Sequence, residues 1–556
     1  MLDSIDKLLR SELRKLRLET FVRRKRQLLS FPARRLICIL PMLAAVYCQA
    51  VEVSPDDKAT VRAASENYAP LDLARLEPRT YLQELVTRNL EIQYSRLNAD
   101  VTRHLREAEA GIYEPAFFSN ARKEGRNRQQ TLEEIRLNSA NATFLDEKVN
   151  VYESGVRGKL PNGADISFSY KRTNKNNNLI YSNSFGVLDT EHSGLLNVNL
   201  KQPLLRNYGR AITETDSKIA ALEHQASLQQ LAQQAFKTSI EGLNLYWQLH
   251  RSQETVRLRS DALQTSKALF TDTESRIAAG RMPSSSLLEL NGVQLNREAE
   301  LVRGMQTLRE SQNKLSSSLN VLRISGQTVA TESRLSAPEF APEKKPAVLE
   351  DMLKVWAPYQ IALVRQRQAQ LRLDFARNQK LPGLDFVMSY GNTGLGYTSS
   401  DARSATRGGK YPDWYIGLNL EIPILGNQKA QEQFLAQKSR LEQAEVELQL
   451  SRNNFINDLQ VRLDDVQNAR TVLLLGNAEV KLRQSILESE RTRVQLGAGL
   501  LGTVIQKQSD LIEAQQRSVE NQVRYEIALA TWQFTQGSLL LDNGIQITGL
   551  LPVSAP

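Results

Sequence analysis

A long uninterrupted pattern in the sequence is helical and extends from about residue 211 to residue 278. It contains no proline and a single glycine, Gly242. Its apolar residues have the spacing of helices that pack along one another, as in Leu228, Leu231 and Ala235. An unbroken helix of this length is about 100 Å long. The pattern therefore predicts a rod that lies against other long helices.

A glycine and a proline, Gly280 and Pro283, end this rod. Apolar periodicity resumes over residues 287–322, which predicts a return helix and hence a helical hairpin. The same order returns in the second part of the chain, with a long helix, a glycine turn and a return helix at 429–496, Gly497 and 504–536.

Two short segments with alternating apolar and polar residues precede each long helix, which predicts four strands. Their apolar residues are, strand by strand, Ala164, Ile166, Phe168 and Tyr170; Leu196, Val198 and Leu200; Leu384, Phe386, Met388 and Tyr390; and Trp414, Ile416, Leu418, Leu420 and Ile422. The segment 119–147 is polar with little periodicity, so no strand is predicted there.

A further helix is predicted before each strand pair, at 80–111 and at 348–380. The two halves can be aligned by residue: Pro115 and Pro382 are 267 positions apart, Pro203 and Pro423 are 220 apart, and Arg276 and Arg493 are 217 apart. These offsets indicate a duplicated unit of helix, strand, strand, long helix and return helix. The fall from 267 to 220 places an insertion of 47 residues in the first half, and a turn at Pro161-Asn162-Gly163 predicts a hairpin within it.

The predicted organisation is an export signal followed by two structural repeats with a linker between them. The boundaries are 1–50 for the signal, 51–75 for a polar segment, 76–323 for the first repeat, 324–346 for the linker, 347–540 for the second repeat and 541–556 for a C-terminal tail.

Most of the net positive charge of the chain lies in its N-terminal segment. The net charge is +9, but residues 1–50 carry eleven Lys and Arg against four Asp and Glu, so the rest of the chain is nearly neutral and no nucleic-acid partner is expected. The cationic stretch, the apolar segment 36–46 and small residues near Ala50 are typical of an export signal; the alternative is a basic amphipathic tail. Both cysteines, Cys38 and Cys48, lie in this segment, and the bulky Tyr47 argues against lipidation of Cys48.

No enzyme chemistry is indicated. The four histidines lack the i, i+4 spacing of a zinc helix, and neither a phosphate-binding lysine loop nor a nucleophile elbow nor a dinucleotide fingerprint is present. We therefore expect no catalytic residue, no metal and no cofactor.

The predicted strands have the length that crosses an outer membrane at a tilt. Four strands cannot close a barrel, so strands in lipid would require several chains to pool them. A soluble sheet with one face on a core gives the same alternation. Strands that lead through Pro203 and Pro423 into helices of about 100 Å favour a tube that continues a membrane barrel.

At this point the sequence resembles the TolC family of outer-membrane efflux proteins. The resemblance rests on the duplicated order, the Arg-x-x-x-Gly tips and the segments 89–93, 114–117, 202–209 and 511–515. It implies a mainly α fold with a transmembrane β part: a homotrimer with a twelve-stranded barrel in outer-membrane lipid, continued by a periplasmic α-helical barrel. It also implies passive conduction, with a periplasmic adaptor docked on the helical tips and an inner-membrane pump as the energy source.

The resemblance also implies roles for individual residues at the tips, beside Gly280 and Gly497. Family members often place acidic residues after the tip glycine, and the matching positions here are Ser286 and Glu289 in the first half and Thr503 and Gln506 in the second. Only Glu289 is acidic, and a solvated helix glutamate is the plainer interpretation. Arg276 and Arg493 either hold the tips closed or are ordinary surface arginines.

Two other classes of protein remain open at this stage. A periplasmic coiled-coil adaptor or scaffold would have one helical hairpin flanked by β-domains, whereas this chain has two hairpins. A single-chain porin fits less well, because no C-terminal strand is predicted. We expect the resting tips to be shut, as the resemblance implies.

Overall fold

The computed structural model of this chain describes residues 75–137, 144–178, 190–321, 329–331, 349–424 and 426–539. The predicted export signal, nearly all of the polar segment, most of the linker and the C-terminal tail lie outside these residues. The described residues belong to one structural unit, Leu73–Pro556.

The predicted order of elements is present in both halves. The first half contains α1 Pro78–Arg88, α2 Leu90–Ala110, β1 Ala116–Gln129, α3 Leu132–Leu137, β2 Phe144–Lys159, β3 Asp165–Asn177, β4 Glu191–Pro203, α4 Arg210–Thr213, α5 Thr215–Ala278 and α6 Ser285–Ser318. The second half contains α7 Leu349–Val355, α8 Ala357–Gln379, β5 Gly383–Gly396, α9 Ser399–Arg407, β6 Pro412–Glu421, α10 Gln428–Gln495 and α11 Leu501–Thr535. The mainly helical fold with an antiparallel sheet is thus confirmed.

The helices before the strand pairs are each broken once, where the sequence predicted continuous helices. Asn89 separates α1 from α2, and its Oδ1 accepts hydrogen bonds from the backbone N–H groups of Glu91 and Ile92, at 2.9 and 3.4 Å. Trp356 separates α7 from α8, and Pro358 lies in the first turn of α8. The two breaks are 267 residues apart, so the duplication includes the break.

The sheet has six strands, in the order β1-β2-β3-β4-β5-β6, with every neighbouring pair antiparallel. The four predicted strands are β3 to β6. The prediction that the polar segment 119–147 contains no strand is wrong, because β1 and the start of β2 lie in it. These segments are polar on both faces in this region, so alternation could not reveal them, and their pairing along fourteen positions forms the strands.

The offsets identify which strands are inserted. Positions 116–129 of β1 plus 267 give the range of β5, and β4 plus 220 overlaps β6. The inserted pair is therefore β2 and β3, joined by the predicted hairpin turn: Leu160 N–H donates to the Ala164 carbonyl at 2.7 Å, and Gly163 N–H donates to the Leu160 carbonyl at 2.9 Å.

The two long helices have 64 and 68 residues, so each is about 100 Å long. Gly242, the glycine within α5, lies where α1 crosses it. A Cβ there would be in contact with the Leu85 side chain and 3.0 Å from the Tyr81 hydroxyl. The Tyr81 hydroxyl is 2.9 Å from Oγ of Ser318, which ties α1 to the end of α6.

The helices form layers that continue the sheet. Near the sheet, α5 packs between α2 and α8, and α8 packs against α10. Farther from the sheet, α6 packs on α5, α5 on α11, and α11 on α10. A core cluster between α10 and α11 consists of Leu463, Val466, Ala469, Leu473, Tyr525 and Trp532.

Candidate channel surfaces and helical tips

On one face of the sheet, a row of apolar residues crosses all six strands. In antiparallel pairs, directly opposed residues lie on the same face. The register therefore aligns one row across the sheet: Phe117, Val156, Phe168, Val198, Tyr390 and Trp414. These side chains are between 37% and 72% exposed, although all are apolar or aromatic. An exposed apolar face of this extent marks a surface that contacts lipid or another protein.

The opposite face is polar. A chain of hydrogen bonds crosses three strands on it: Ser389 Oγ donates to Asn197 Oδ1 at 2.9 Å, Asn197 Nδ2 to Asn199 Oδ1 at 2.9 Å, and Asn199 Nδ2 to Ser167 Oγ at 3.3 Å. Ser169 and Ser389 are buried on this face. Apolar and polar faces of this kind are those that line the outside and the inside of a membrane barrel.

All four prolines singled out by the sequence lie where a strand and a helical segment meet. Pro115 and Pro382 directly precede β1 and β5, Pro203 is the last residue of β4, and Pro423 follows β6 by two positions. Proline lacks an N–H group, so it cannot donate a ladder hydrogen bond and is suited to a strand end.

The two helical tips have the same backbone geometry. Gly280 and Gly497 have φ values of +73° and +75°, and the following residue in each case donates its N–H to the carbonyl of Arg276 or Arg493 at 2.9 Å. This is the Schellman arrangement, which requires a left-handed residue and favours glycine. The Arg-x-x-x-Gly spacing that the two tips share therefore marks the end of a helix at a left-handed glycine.

The tip arginines pair within their own helices. Arg276 Nε lies 2.9 Å from Asp272 Oδ2, and Arg493 Nη1 lies 2.9 Å from Glu490 Oε1. Within this single chain, both arginines therefore have the contacts of surface helix residues. Exposed pairs of this type contribute little to stability.

The structure brings Glu289 close to the second tip. Its Oε1 lies 3.3 Å from the position that a Cβ on Gly502 would occupy, next to Thr503. Ser286 lies in the first turn of α6, and its N–H donates to the Pro283 carbonyl at 3.2 Å. Glu289, the acidic tip position of the first half, therefore lies beside the first turn of α11 in the second half.

Asp510, one helical turn beyond Gln506, is a tip-proximal acid that the sequence analysis missed. Gln506 Nε2 donates to Asp510 Oδ1 at 2.9 Å, and the Nζ of Lys507 lies 3.3 Å from Oδ2. The hydrogen bond from Gln506, with Lys507 and Arg483 nearby, holds the pKa of Asp510 below its usual value. In the sequence, the i, i+4 spacing of Gln506 and Asp510 was the signal that could have predicted this hydrogen bond.

A second missed contact joins the two hairpins. Arg297 on α6 donates from Nη2 to Oγ of Ser509 on α11 at 2.6 Å, and its Nη1 lies 3.2 Å from Glu300 Oε2. The guanidinium-bearing side chain is only 12% exposed. Nothing in the sequence pattern relates these residues, which are 212 positions apart.

Two features were searched for among the described residues and were not found. None of their helices is both long enough and apolar enough to cross a bilayer. No group of three or more His, Cys, Asp or Glu side chains among them is arranged to hold a metal ion.

Comparison with known proteins agrees with this geometry. Residues 360–537 match the family model described as outer membrane efflux protein. A search of curated proteins gave no match. Among solved structures, the fold is similar to VceC from Vibrio cholerae, with 13% identity, a TM-score of 0.56 and coverage of 84% of this chain and 97% of that one.

Two further solved channels share the fold. The open state of MtrE from Neisseria gonorrhoeae is 12% identical, with a TM-score of 0.59 and coverage of 85% and 94% of the two chains. The CmeC channel from Campylobacter jejuni is 12% identical, with a TM-score of 0.57 and coverage of 83% and 86%. At these identities, the likeness to solved structures shows the fold.

The chain therefore has the fold of TolC-like outer-membrane channels. The match of residues 360–537 to the outer membrane efflux protein model agrees with this fold.

Proposed function

We propose that this protein is the exit duct of a tripartite efflux or type I secretion system. In this function, three copies form a passive channel, a periplasmic adaptor docks on the helical tips, and an inner-membrane pump supplies the energy. The observation that carries the proposal is the continuity of the two-faced sheet with helices about 100 Å long.

Self-association is supported by open edges on both sides of the chain. In the described sheet, β1 and β6 are the outermost strands, so each has one edge without a partner. The helix before β1 is α2 and the helix after β6 is α10, and these are also the outer helices of the layer near the sheet. Unpaired strand edges are unfavourable in lipid, and a ring of copies removes them.

The outer helix α2 carries an apolar stripe on its exposed side. The stripe consists of Leu90, Tyr94, Leu97, Val101 and Leu105, which are 55% to 76% exposed. Ile92 and Ala99, on the opposite side of α2, are buried. A helix that is apolar on two opposite sides is expected to be covered on both, so α2 needs a second neighbour.

Matching stripes lie nearer the tips. On α6, Leu288, Leu295 and Val302 are exposed at seven-residue spacing. Along α10 and at its end, Leu475, Leu482 and Leu496 are exposed at multiples of seven. In the helical layer farther from the sheet, α6 and α10 are the outer helices. The exposed stripe on α6 of one copy is therefore suited to pack on α10 of the next copy.

The number of strands in one chain is larger than the four that the resemblance implies, because the sheet has six. Four strands per chain would give twelve in a trimer, whereas three chains with six strands each would pool eighteen. The diameter of a barrel increases with strand number, so the inserted pair β2 and β3 would widen the membrane part.

Bilayer recording of the purified oligomer tests this function. We expect discrete conductance steps from the native protein. Leu97→Glu combined with Val101→Glu should abolish both the oligomer and the steps, because it places charges in the stripe. Arg96→Glu, at an exposed position on the same helix but off the stripe, is the control and should retain both. Folded, oligomeric protein that never inserts would instead favour a soluble scaffold.

A further inference from the structure

The outer end of the apolar face, away from the helices, is partly covered by α9. Gly194 and Gly394 are opposed in the sheet, on the same face as Tyr170. A Cβ on Gly194 would lie 2.5 Å from Oγ1 of Thr406, and a Cβ on Gly394 would collide with the backbone nitrogen of Thr406. Only glycine allows so close an approach, so α9 lies against the apolar face at this end.

The apolar face has a defined limit at this end. Its rows extend from the Leu384–Leu420 pair to the row that contains Tyr170, Leu196 and Asn392. Eight steps along β5 are about 27 Å. At a strand tilt of about 40° the band is about 21 Å high, close to the apolar band of outer-membrane barrels, which is about 25 Å.

Cationic residues begin directly beyond this limit. Arg172 follows Tyr170 on the same face by two positions, and Lys123 and Lys148 lie in the next two rows of the same face. The cationic belt is defined by these residues and by those on and after α9, and it comprises Lys123, Lys148, Arg172, Arg403, Arg407 and Lys410. All but Arg172 are exposed, and Arg172 is half-buried.

The acidic groups near the belt do not neutralise it. Asp401 accepts hydrogen bonds from the N–H and hydroxyl of Thr398, so it caps α9. Among the residues that the structure describes on this face of the sheet beyond the band, the remaining acid is Asp146. On the polar face at the same level, three cations instead have acidic partners: Arg122 with Glu124, and Arg126 and Lys175 with Glu147. The excess of positive charge is therefore larger on the side that bears the apolar band.

We propose that the cationic belt binds the phosphate groups of anionic lipid headgroups in the outer leaflet. This rests on the outer-membrane placement that the proposed function also uses. A lipid whose chains cover the apolar rows has its headgroup at the level of Arg172 and Lys123, where basic side chains attract phosphate. Arginine and lysine have long apolar stems that can lie along the band while the charge reaches the headgroups.

The test uses the native oligomer in lipid vesicles with trace spin-labelled phosphatidic acid or phosphatidylcholine. Electron paramagnetic resonance measures the fraction of each label immobilised at the protein. The native protein should associate with phosphatidic acid about fivefold or more in preference to phosphatidylcholine at low salt, and the preference should fall at about 1 M salt.

Paired variants separate the belt from net charge. Lys123→Gln with Arg172→Gln should reduce the preference by at least about threefold. Arg122→Gln with Lys171→Gln removes the same charge from the adjacent positions on the polar face and should leave the preference unchanged. Equal association of both lipids with the native protein, or equal loss in the two variants, would overturn the proposal. So would loss of the preference on adding inorganic phosphate but not sodium chloride at matched ionic strength.

Bilayer conductance of the same preparations distinguishes the two proposals. A conducting channel without lipid preference overturns only the belt. Folded protein that neither conducts nor inserts overturns the proposed function and the belt together.

Discussion

Arg297 on α6 donates a hydrogen bond to Ser509 on α11 at 2.6 Å, and this contact links the two helical hairpins of one chain. The side chain of Arg297 is largely buried. A hydrogen bond from a charged group contributes about 1.5–3 kcal/mol. We expect Arg297→Ala to loosen the hairpins near the tips and to raise the single-channel conductance or open probability.

Ser509→Ala should have the same effect in weaker form, because Arg297 keeps its ion pair with Glu300. Arg303→Ala removes an exposed arginine farther along the same helix and should leave the conductance unchanged. Identical recordings from native protein and Arg297→Ala would show that the contact does not restrain the tips.

Glu289 should contribute to ion selectivity. Its carboxylate lies at the first turn of α11, and three copies in a narrow tube would produce a negative potential. Glu289→Gln is expected to shift the reversal potential in a salt gradient toward weaker cation preference. Glu298→Gln, on the same helix but farther from the tip, serves as the control; a shift of the same size there would mean that Glu289 has no special position.

Gly163 should be essential for docking of the inserted hairpin. Its φ is +90°, and a Cβ there would lie 2.6 Å from the Asn207 carbonyl oxygen. Gly163→Ala is expected to cost about 1–3 kcal/mol and to lower the thermal midpoint of the oligomer, measured by circular dichroism. Gly125→Ala, where a Cβ meets no atom within 4 Å, should not lower it. Equal midpoints for the two variants would contradict the docking role.

Acidification should destabilise the helical part through His250. Burial lowers the pKa of this histidine, whose Nδ1 lies 3.2 Å from Oγ1 of Thr331. Below a pH of about 6.5, the unfolded chain binds a proton that the folded imidazole resists. The free energy of unfolding should therefore be unaffected by this group above that pH and decrease as the pH falls toward the folded-state pKa.

Urea unfolding at several pH values measures this effect. His250→Gln should remove part of the decrease below a pH of about 6.5. His104→Gln is the matched control, because His104 is exposed. If the two variants and the native protein lose stability in parallel, another group is responsible.

The sequence was sufficient for the two helical hairpins, although it did not reveal the breaks at Asn89 and Trp356. The long helices, their return helices and the glycine tips could be predicted because one side of each helix packs on a neighbour, which leaves a period in the chain. The sequence predicted the end of α5 at Ala278, which is where the structure has it. The offsets between matching residues indicated that the two halves are duplicates of one another.

The strands of the first half could be predicted only in part from the sequence. β3 has one apolar side, so its alternation was recognised, whereas β1 and much of β2 are polar on both sides. Their strand conformation depends on hydrogen bonding to each other along Ala116–Gln129, which is a property of the pair and not of either segment. Alternation cannot report a strand whose two faces have the same polarity.

By itself, the sequence determined the duplicated order, the long helices, the positions of the prolines at strand ends and the absence of recognisable enzyme motifs. Only the tertiary structure decided the six-stranded order, the link between Arg297 and Ser509, and the cationic belt beyond the apolar band. The physical reason is that local periodicity arises from contacts along one element, whereas these features arise from pairing between residues that are distant in the chain.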